Sequence, residues 1–398
     1  MPLSYIPNTD ADRAAMLRAI GVDAPHDLFT DIPAAYRDPA LRLPPPLSEL
    51  ELKRELGRIA ARNAALDGFG GMPSFLGGGV YRHFIPSVVG SIVARAEFYT
   101  AYTPYQPEIS QGTLQYTYEL QSMLCQLTGM DVANAGMYDG ATAAGEAALM
   151  AARLTGRQAV AVFSTVAPNI RDVVATYCSG PELAVREIAA GGPPQVGGEV
   201  ACVLVQQPNA FGYLEDLGAW GRAAHAAGAL LVVSVDPISL GLFRPPADYG
   251  ADIVVGEAQA LGNAPNFGGP YLGIFTCREQ FLRQMPGRIV GRTTDAEGRT
   301  GYVMTLQTRE QHIRRERATS NICTSQALVA LAATVYLACL GPRGLRQIAE
   351  LCYHKAHYAA ALIAKLPGFE LAFDRPFFKE FVVRCPVAPA ELNRRLLE

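Results

Sequence analysis

Lysine is scarce in this sequence. Its 398 residues include only four lysines, Lys53, Lys355, Lys365 and Lys379, so none lies between residues 54 and 354. Arginine cannot replace lysine in imine chemistry, because a guanidinium stays protonated and does not condense with an aldehyde. The long middle part of the chain therefore has no side chain that can hold an aldehyde as an imine.

Other absences exclude whole classes of partner. The formal net charge is -3 and the pI is about 6.1, so the chain lacks the positive field that nucleic-acid and membrane-surface proteins use. The first residues lack the basic and apolar regions of a secretory signal, and no run approaches the roughly 20 apolar residues of a membrane span. We expect neither nucleic acid nor a membrane as a partner, and a cytoplasmic location.

Metal and disulfide sites are not indicated either. The eight cysteines are scattered among apolar neighbours without a CxxC pair, which favours buried and reduced thiols. His354 and His357 lie one helical turn apart, but no acidic or cysteine partner stands at ligand spacing. We expect a surface or packing role for both histidines and no metal.

The N-terminal region contains two signals for helix starts. Thr9 is followed by Asp12 and Ser48 by Glu51, and both pairs resemble capping boxes. The proline-rich stretch APHDLFTDIPAAYRDPALRLPPPL separates them. Residues 1–100 are therefore predicted to form a helical arm with a connector rather than a compact domain.

The middle of the chain alternates helical stretches with short apolar runs. These runs are AVAVFS (159–164), VACVLVQQP (200–208), ALLVVSVDP (229–237), ADIVVGE (251–257) and YLGIFTC (271–277). Apolar runs without alternation suit strands that are covered on both faces, and helical spacers between most of them imply a mainly parallel sheet. Residues 101–340 are predicted to form a large α/β domain.

The C-terminal part is predicted to be mostly helical. Helices are expected at about residues 324–340 and 344–366, and the final stretch, FFKEFVVRCPVAPAELNRRLLE, gives one strand and the start of one helix. A lone strand and helix do not close a core. Residues 341–398 are therefore expected to begin a small α+β domain that is incomplete at Glu398.

Two features indicate a ligand pocket at one edge of the sheet. Asp236 follows an apolar strand, where doubly wound folds place ligand groups, and a buried carboxylate needs a cationic partner such as a protonated pyridine nitrogen. Gly140, Ala141 and Thr142 stand at a predicted helix start, which attracts anions such as phosphate. The alternatives are a turn aspartate beside Pro237 and a capped helix packed on the sheet, and GAT alone is far weaker than a P-loop.

The stretch ADIVVGEAQALGNAPNFGGPYLG, residues 251–273, runs from a strand into a glycine-rich loop. In one large class of enzymes this order ends with the lysine that holds pyridoxal phosphate as an imine. Gln259 and Ala260 occupy that place here. Either a partner chain supplies the lysine for imine chemistry, or this chain takes part in no imine chemistry.

A tyrosine-rich stretch lies at the start of the predicted α/β domain. TAYTPYQPEISQG, residues 100–112, is held extended by two prolines, which exposes four side chains: Tyr102, Thr103, Tyr105 and Gln106. The alternative is a structured linker with its tyrosines buried against the core.

An arginine-rich stretch lies near the end of the predicted α/β domain. REQHIRRERATSNICTSQAL, residues 309–328, gathers four arginines before Thr319, Ser320 and Asn321. Arginine and hydroxyl groups just before a helix bind anions, although a solvated basic turn with an Asn or Thr cap has the same sequence pattern.

The glycine triplet of FLGGGVYRHFIP, residues 75–86, has no strand before it. A tight bend anchored by Tyr81 and Phe84 is therefore predicted rather than a phosphate loop.

Several of these stretches together resemble one family. FLGGG, TAYTPYQPEISQG, NAGMYDGATA, YGADIVVGEAQALG, NFGGPYLG and RRERATSNICTSQAL are similar to motifs of the glycine cleavage system P-protein family, in particular the alpha subunit (subunit 1) of its two-chain form. The likeness covers nearly the whole chain. It implies the fold-type-I, pyridoxal-phosphate-dependent transferase architecture, with a mainly parallel sheet covered by helices, an N-terminal helical arm and a small C-terminal α+β domain.

The resemblance also implies an assembly and an activity. A homologous beta subunit carries pyridoxal phosphate covalently on its lysine, and the alpha subunit pairs with it as an αβ heterodimer, usually doubled to an α2β2 heterotetramer. The complex, an oxidoreductase of glycine catabolism, decarboxylates glycine and passes the aminomethyl group to the lipoyl arm of the H-protein. The nicotinamide step belongs to another component. The isolated chain is expected to be inactive.

Active sites of this fold lie at subunit interfaces, so the resemblance implies roles for the two surface stretches. Residues 102, 103, 105 and 106 are expected to line the glycine or lipoyl entrance of the partner, and residues 319–321 to lie near the partner's cofactor phosphate. Residues 140–142 and Asp236 belong to a vestigial pocket. No catalytic residue is expected on this chain alone.

Two other functions stay open. The chain can be a catalytically inert scaffold that only orders the beta subunit or docks the H-protein. It can also be an independent pyridoxal-phosphate enzyme that uses Lys355, although that lysine lies well past the sheet on a predicted helix.

Overall fold

The computed structural model describes residues 7–37, 39–63, 74–75, 77–189, 195–266, 269–323 and 325–397. The chain divides into two compact units, Met1–Ser74 and Phe75–Glu398. The finer domain limits expected at residues 100 and 340 stay predictions.

The described residues of the first unit include two α-helices, α1 (Asp10–Ile20) and α2 (Glu49–Ala60). Both begin with a capping box, formed by Thr9 with Asp12 and by Ser48 with Glu51, as the sequence pattern predicted. None of the residues of either helix is buried in the structure.

A seven-stranded sheet forms the centre of the second unit. In spatial order its strands are β1 (Val132–Ala133), β7 (Gly273–Cys277), β6 (Ile253–Glu257), β5 (Leu230–Val235), β4 (Val200–Gln207), β2 (Ala159–Phe163) and β3 (Ala184–Ile188). The pairs from β3 to β6 are parallel, whereas β7 runs antiparallel to β6, and β1 antiparallel to β7. The predicted mainly parallel α/β fold is confirmed.

Helices cover this sheet, and two small hairpins complete the unit. The helices are α3 (Ser87–Val93), α4 (Ala96–Tyr99), α5 (Gln111–Thr128), α6 (Gly140–Thr155), α7 (Pro168–Ser179), α8 (Leu217–Ala226), α9 (Gln311–Arg314), α10 (Ala327–Ile363) and α11 (Pro389–Leu397). The hairpins are β8 (Ile289–Thr294) with β9 (Thr300–Thr305), and β10 (Glu370–Leu371) with β11 (Val383–Arg384).

The largest core cluster lies around the sheet. Every residue of β2 and of β7 is buried, which explains why these strands read as continuous apolar runs. Helix α6 packs on the sheet through small side chains, and Ala143, Ala147 and Ala151 are fully buried. Small residues let the helix approach the strands closely and fix the position of its N-terminus.

Helix α10 combines the two helices that were predicted at 324–340 and 344–366. Gly341 has φ 59° and ψ -177°, so the helix is interrupted there, just before Pro342. The helix is long and apolar enough to span a membrane by composition alone. However, Leu331, Ala333 and Tyr336 are buried in the second core cluster, which is the pattern of a core helix.

Candidate functional site

Asp236 directly follows β5, at the carboxyl edge of the sheet. Its Oδ2 lies 2.6 Å from the Nζ atom of Lys379, and the two side chains are only 12% and 10% exposed. The contact is ionic rather than a well-aligned hydrogen bond. The carboxylate therefore has the cationic partner that its position requires, but this partner is a side chain of the same polypeptide.

A lysine therefore lies beside the central sheet, although Lys379 is outside the lysine-free stretch between residues 54 and 354. Lys379 arrives with a C-terminal segment that pairs with the turn after β4. The N–H of Phe378 donates to the carbonyl of Gly212 over 3.0 Å, and the N–H of Leu214 donates to the carbonyl of Pro376 over 3.0 Å. These long-range hydrogen bonds bring the lysine back to the central sheet.

Glu257, the last residue of β6, lies against the start of α6. Its Oε2 accepts from the N–H of Gly140 over 2.9 Å, and its Oε1 accepts from the N–H groups of Gln259 and Leu272 over 2.8 and 3.2 Å. Burial raises the pKa of Glu257 to about 7, and the three N–H donors act against this rise. A carboxylate of the chain thus occupies the helix N-terminus that was expected to receive an anion.

The first turn of α6 is capped by its own residues. Asp139 Oδ1 accepts from the N–H of Thr142 over 2.8 Å, and the N–H of Asp139 donates to the Thr142 hydroxyl over 3.2 Å. Ala141 lies half-buried in the same turn. A Cβ atom on Gly140 would fall 2.8 Å from the backbone nitrogen of Glu257, so glycine is required because the helix touches β6.

Gln259 stands where the imine lysine of related folds was expected, and it is 1% exposed. Its side-chain amide forms two hydrogen bonds with the backbone of Tyr81: Oε1 accepts from the N–H over 3.0 Å, and Nε2 donates to the carbonyl over 3.0 Å. Nε2 also donates to the carbonyl of Asn263 over 2.6 Å. Ala260, the neighbouring residue, is 4% exposed.

The glycine triplet before Tyr81 forms the bend that was predicted. Gly77, Gly78 and Gly79 all have φ between 63° and 91°, where other residues are strained. Tyr81 anchors the bend, but Phe84 is 86% exposed, so the prediction that Phe84 also anchors it is wrong.

Tyr81 and its neighbours surround Lys379. The Tyr81 ring centroid lies 3.3 Å from Nζ, and the Tyr81 hydroxyl donates to Oε2 of Glu380 over 2.6 Å. Glu380 Oε1 accepts from the N–H of Gly78 over 3.0 Å. Burial and the charge of Lys379 lower the pKa of the nearby His83 to about 4, although Asp236 acts in the opposite direction.

A second cluster links the two predicted surface stretches. The rings of Tyr105 and His312 meet edge to face with 5.7 Å between centroids, and Arg288 lies 5.8 Å over the Tyr105 ring. Glu310 is 3.7 Å from both Arg288 and His312 and is 9% exposed. Tyr105 itself is 46% exposed, which suits a contact with another molecule.

Residues 319–321 lie next to this cluster. The N–H of Thr319 donates to the carbonyl of Arg309 over 3.0 Å, and the Ser320 hydroxyl donates to Glu146 Oε1 over 2.7 Å. Burial raises the pKa of Glu146, which is 6% exposed on α6. Asn321 lines an open depression of about 350 Å³ together with Gln311 and two charged residues, Arg315 and Glu316.

The structure brings Tyr105 and residues 319–321 to one region through the segment that carries Glu310 and His312. The remaining predicted residues differ in exposure, since Tyr102 is 82% exposed, Gln106 is exposed and Thr103 is half-buried. Their proposed contacts with a partner stay predictions.

Sequence reasoning missed three residues that organise these sites: Lys379, Glu257 and Glu146. Glu257 and Glu146 are isolated charges in apolar stretches, whereas Lys379 stands beside Glu380 in an irregular stretch. A charge that interrupts a buried strand end or a buried helix face signals a paired group, and Glu257 and Glu146 both fit that pattern. Lys379 has no such local signal.

The sheet order and the helices packed on the sheet define the class of fold: that of the fold-type-I, pyridoxal-phosphate-dependent enzymes. A solved sphingosine-1-phosphate lyase from Burkholderia pseudomallei has the same fold, with a TM-score of 0.62 and 14% identity over 92% of this chain and 85% of that chain. A solved alanine–glyoxylate aminotransferase from Nostoc matches with a TM-score of 0.53 and 18% identity over 82% of this chain and 84% of that chain.

The chain belongs to the glycine cleavage system P-protein family, whose model matches residues 3–396. A probable glycine dehydrogenase (decarboxylating) subunit 1 from Desulforamulus reducens is 53% identical over 100% of this chain and 90% of its own length, and one from Thermomicrobium roseum is 54% identical over 99% and 90%. The crystal structure of an inhibitor-bound glycine decarboxylase (P-protein) has a TM-score of 0.93 and 46% identity over 98% of this chain and 90% of that chain. The predicted family is confirmed, and these matches support a glycine decarboxylase subunit 1.

Proposed function

We infer that this chain is the subunit of a heteromeric glycine decarboxylase that completes an active site without forming the imine itself. The main support for this inference is that Gln259 stands at the expected lysine position. Both polar atoms of its side-chain amide form hydrogen bonds, with the backbone of Tyr81 and with the carbonyl of Asn263. The relatives' designation as subunit 1 supports the presence of a second subunit.

In this proposal the beta subunit carries pyridoxal phosphate on its lysine, and the two chains form an αβ heterodimer that doubles to α2β2. The complex decarboxylates glycine and transfers the aminomethyl group to the lipoyl arm of the H-protein, in the cytoplasm. The cofactor supplies the electron sink for decarboxylation. This chain closes one wall of the partner's site and excludes water from it, which strengthens the electrostatic interactions there.

Two surface stretches are proposed to form that wall. Tyr105 is half exposed, and one part of its ring contacts Arg288 and His312, which both lie beside Glu310. These contacts hold the ring in place while its exposed part is available to a partner. Asn321 is exposed beside Arg315, and both suit an anionic group such as the partner's cofactor phosphate.

Co-expression with a beta subunit and an assay of glycine–bicarbonate exchange test the proposal. We expect no exchange by this chain alone, exchange by the assembled complex, and strongly reduced exchange when Tyr105→Ala or Asn321→Ala is introduced into a complex of unchanged size. Unchanged exchange in both variants would contradict the shared wall and favour the inert scaffold. Exchange by the isolated chain would contradict the need for a partner.

A further inference from the structure

The pocket at the ends of β5 and β6 already contains one cation and one anion of the chain itself. In pyridoxal-phosphate enzymes a carboxylate pairs with the protonated ring nitrogen, and a helix N-terminus receives the phosphate. Here Asp236 pairs with Lys379 at 2.6 Å, and the N–H of Gly140 donates to Glu257. Lys379 therefore stands where the ring cation of the cofactor would pair with Asp236, and Glu257 stands where its phosphate would meet the start of α6.

Neither internal charge is easily displaced. Lys379 and Asp236 are 10% and 12% exposed, so separating them would leave two shielded charges without partners. Glu257 accepts three backbone hydrogen bonds, and the start of α6 touches the backbone of β6 at Gly140. The cofactor would therefore compete with Lys379 for Asp236 and with Glu257 for the N–H of Gly140.

Lys379 is also unsuited to imine formation in this position. Its Nζ atom lies 2.6 Å from Oδ2 of Asp236 and 3.3 Å from the centroid of the Tyr81 ring, and its side chain is only 10% exposed. An aldehyde therefore has little access to this amine.

Two residues next to these charges, Gln259 and Glu380, hold a surface segment in place. Tyr81 is joined to Gln259 by two hydrogen bonds through its backbone and to Glu380 by a third through its hydroxyl. Gly78 donates a fourth hydrogen bond to Glu380. Residues 77–84 are thus tied to both the central sheet and the C-terminal segment, and they end in Phe84, which is 86% exposed.

We propose that this pocket is an internal clasp, in which Lys379 and Glu257 take the places of the cofactor's ring cation and phosphate. Three residues, Lys379, Gln259 and Glu380, hold residues 77–84 in this clasp. The pocket consequently binds neither pyridoxal phosphate nor pyridoxamine phosphate. This proposal does not depend on the partner subunit, and its tests need only this chain.

Lysine labelling tests whether the clasp is closed. The folded chain is treated with pyridoxal 5′-phosphate and borohydride, and the labelled peptides are mapped by mass spectrometry. We expect label on the exposed residues Lys53, Lys355 and Lys365 and at least about tenfold less on Lys379, with equal labelling of all four in urea. Equal labelling of Lys379 in the folded chain would overturn the proposal.

Pyridoxamine 5′-phosphate tests binding that needs no imine. Equilibrium dialysis of the folded chain is expected to detect no stoichiometric site. One bound equivalent that is lost in Asp236→Asn would overturn the proposal, because it would show that the cofactor displaces Lys379.

Backbone amide hydrogen exchange tests whether Gln259 and Lys379 hold residues 77–84 in place. In Gln259→Ala and in Lys379→Met, peptides covering residues 77–84 are expected to exchange faster than in the parent chain, while peptides from β4 stay protected. Lys53→Met, which removes an exposed lysine of α2, is the matched control and should change neither. Unchanged exchange of residues 77–84 in both pocket variants would overturn the clasp.

Double substitution tests the ion pair, and thermal unfolding gives its readout. Lys379→Met and Asp236→Asn each leave one shielded charge unpaired, so each is expected to lower Tm by about 6 °C or more. The double variant is expected to lose less than the sum of the two single changes. Additive losses would contradict a direct pairing, and a variant that fails to fold leaves the labelling and dialysis of the parent chain to decide.

Discussion

The ring of Tyr105 meets the imidazole of His312 edge to face, with 5.7 Å between the ring centroids. These residues lie more than 200 positions apart in the sequence, in the tyrosine-rich and arginine-rich stretches that were each predicted to face a partner. Their contact makes the two stretches one surface, so a change on either side should affect the same property of the complex.

The first prediction concerns the Tyr105 ring. Tyr105→Ala is expected to change the stability of this chain by less than about 0.5 kcal/mol, because the side chain is 46% exposed. If the ring closes the partner's site, glycine–bicarbonate exchange by the complex should fall at least about tenfold, whereas Tyr105→Phe should retain most of it.

Tyr358→Ala is the matched control for that change. Tyr358 lies on α10 and is 69% exposed, so it offers a similar ring far along the sequence from both stretches. Both tyrosine variants are measured as purified complexes. Equal losses of exchange in the two variants would show that the effect is not specific to Tyr105.

The second prediction concerns the buried carboxylate of Glu146. Ser320→Ala removes the hydroxyl that donates to Glu146 Oε1, and the other carboxylate oxygen has no hydrogen-bond partner among the described residues. The expected loss is about 1–3 kcal/mol in the free energy of unfolding, measured by urea titration.

A second substitution separates this effect from a simple loss of packing. Glu146→Gln removes the buried charge. In that background Ser320→Ala should therefore lower the free energy of unfolding by less than it does in the parent chain. The same cost in both backgrounds would show that the two side chains are not coupled.

The third prediction is a pH dependence that arises from His83. Its pKa falls from 6.5 in the unfolded chain to about 4 in the folded chain, so between these values the unfolded state binds more protons. The stability contribution is therefore complete above pH 6.5 and is lost as the pH falls toward 4, by up to about 3 kcal/mol.

Urea unfolding of His83→Gln at several pH values between 4 and 7 measures this contribution. The variant has no imidazole to protonate, so its stability should fall less steeply with acid than that of the parent chain. His26→Gln, at a side chain that is 69% exposed, should leave the profile unchanged. Parallel profiles for His83→Gln and the parent chain would contradict the assignment.

The fourth prediction concerns the close approach of α6 to β6. Gly140→Ala places a methyl group 2.8 Å from a backbone nitrogen of Glu257, and neither backbone can move freely, so we expect a loss of roughly 1–3 kcal/mol. Gly90→Ala in α3 is the control, because its new methyl group meets no atom within 4 Å and alanine favours a helix. Thermal unfolding of the two variants should shift Tm in opposite directions.

The sequence correctly predicted the strands that are buried along their length and the helices that begin with a capping box. The strands β2, β4, β5, β6 and β7 are buried apolar runs, and the first two helices carry capping boxes that depend only on residues three apart. It did not predict β3, because AVREI lies at the sheet edge with most of its residues exposed. The two-residue strand β1 and the polar hairpin of β8 and β9 likewise lack a buried apolar pattern.

The candidate pocket shows which contacts local sequence patterns do not predict. Asp236 follows β5 and Gly140 begins α6, as the sequence pattern predicted, since ligand groups of such folds gather at the carboxyl ends of parallel strands. The partner of Asp236 was not predictable, because Lys379 reaches it only through hydrogen bonds between segments that are about 160 residues apart. Local patterns carry no information on such a contact.

The amide of Gln259 behaves like an extra peptide unit, because it donates to and accepts from the same residue of a neighbouring segment. Glutamine is the amide side chain long enough to do this here, and a lysine at this position would lose the acceptor. Replacement of Gln259 by lysine alone would therefore release the backbone of Tyr81 before it provided a reactive amine. Restoring an imine site in this chain would require changes in Tyr81 and its other partners as well.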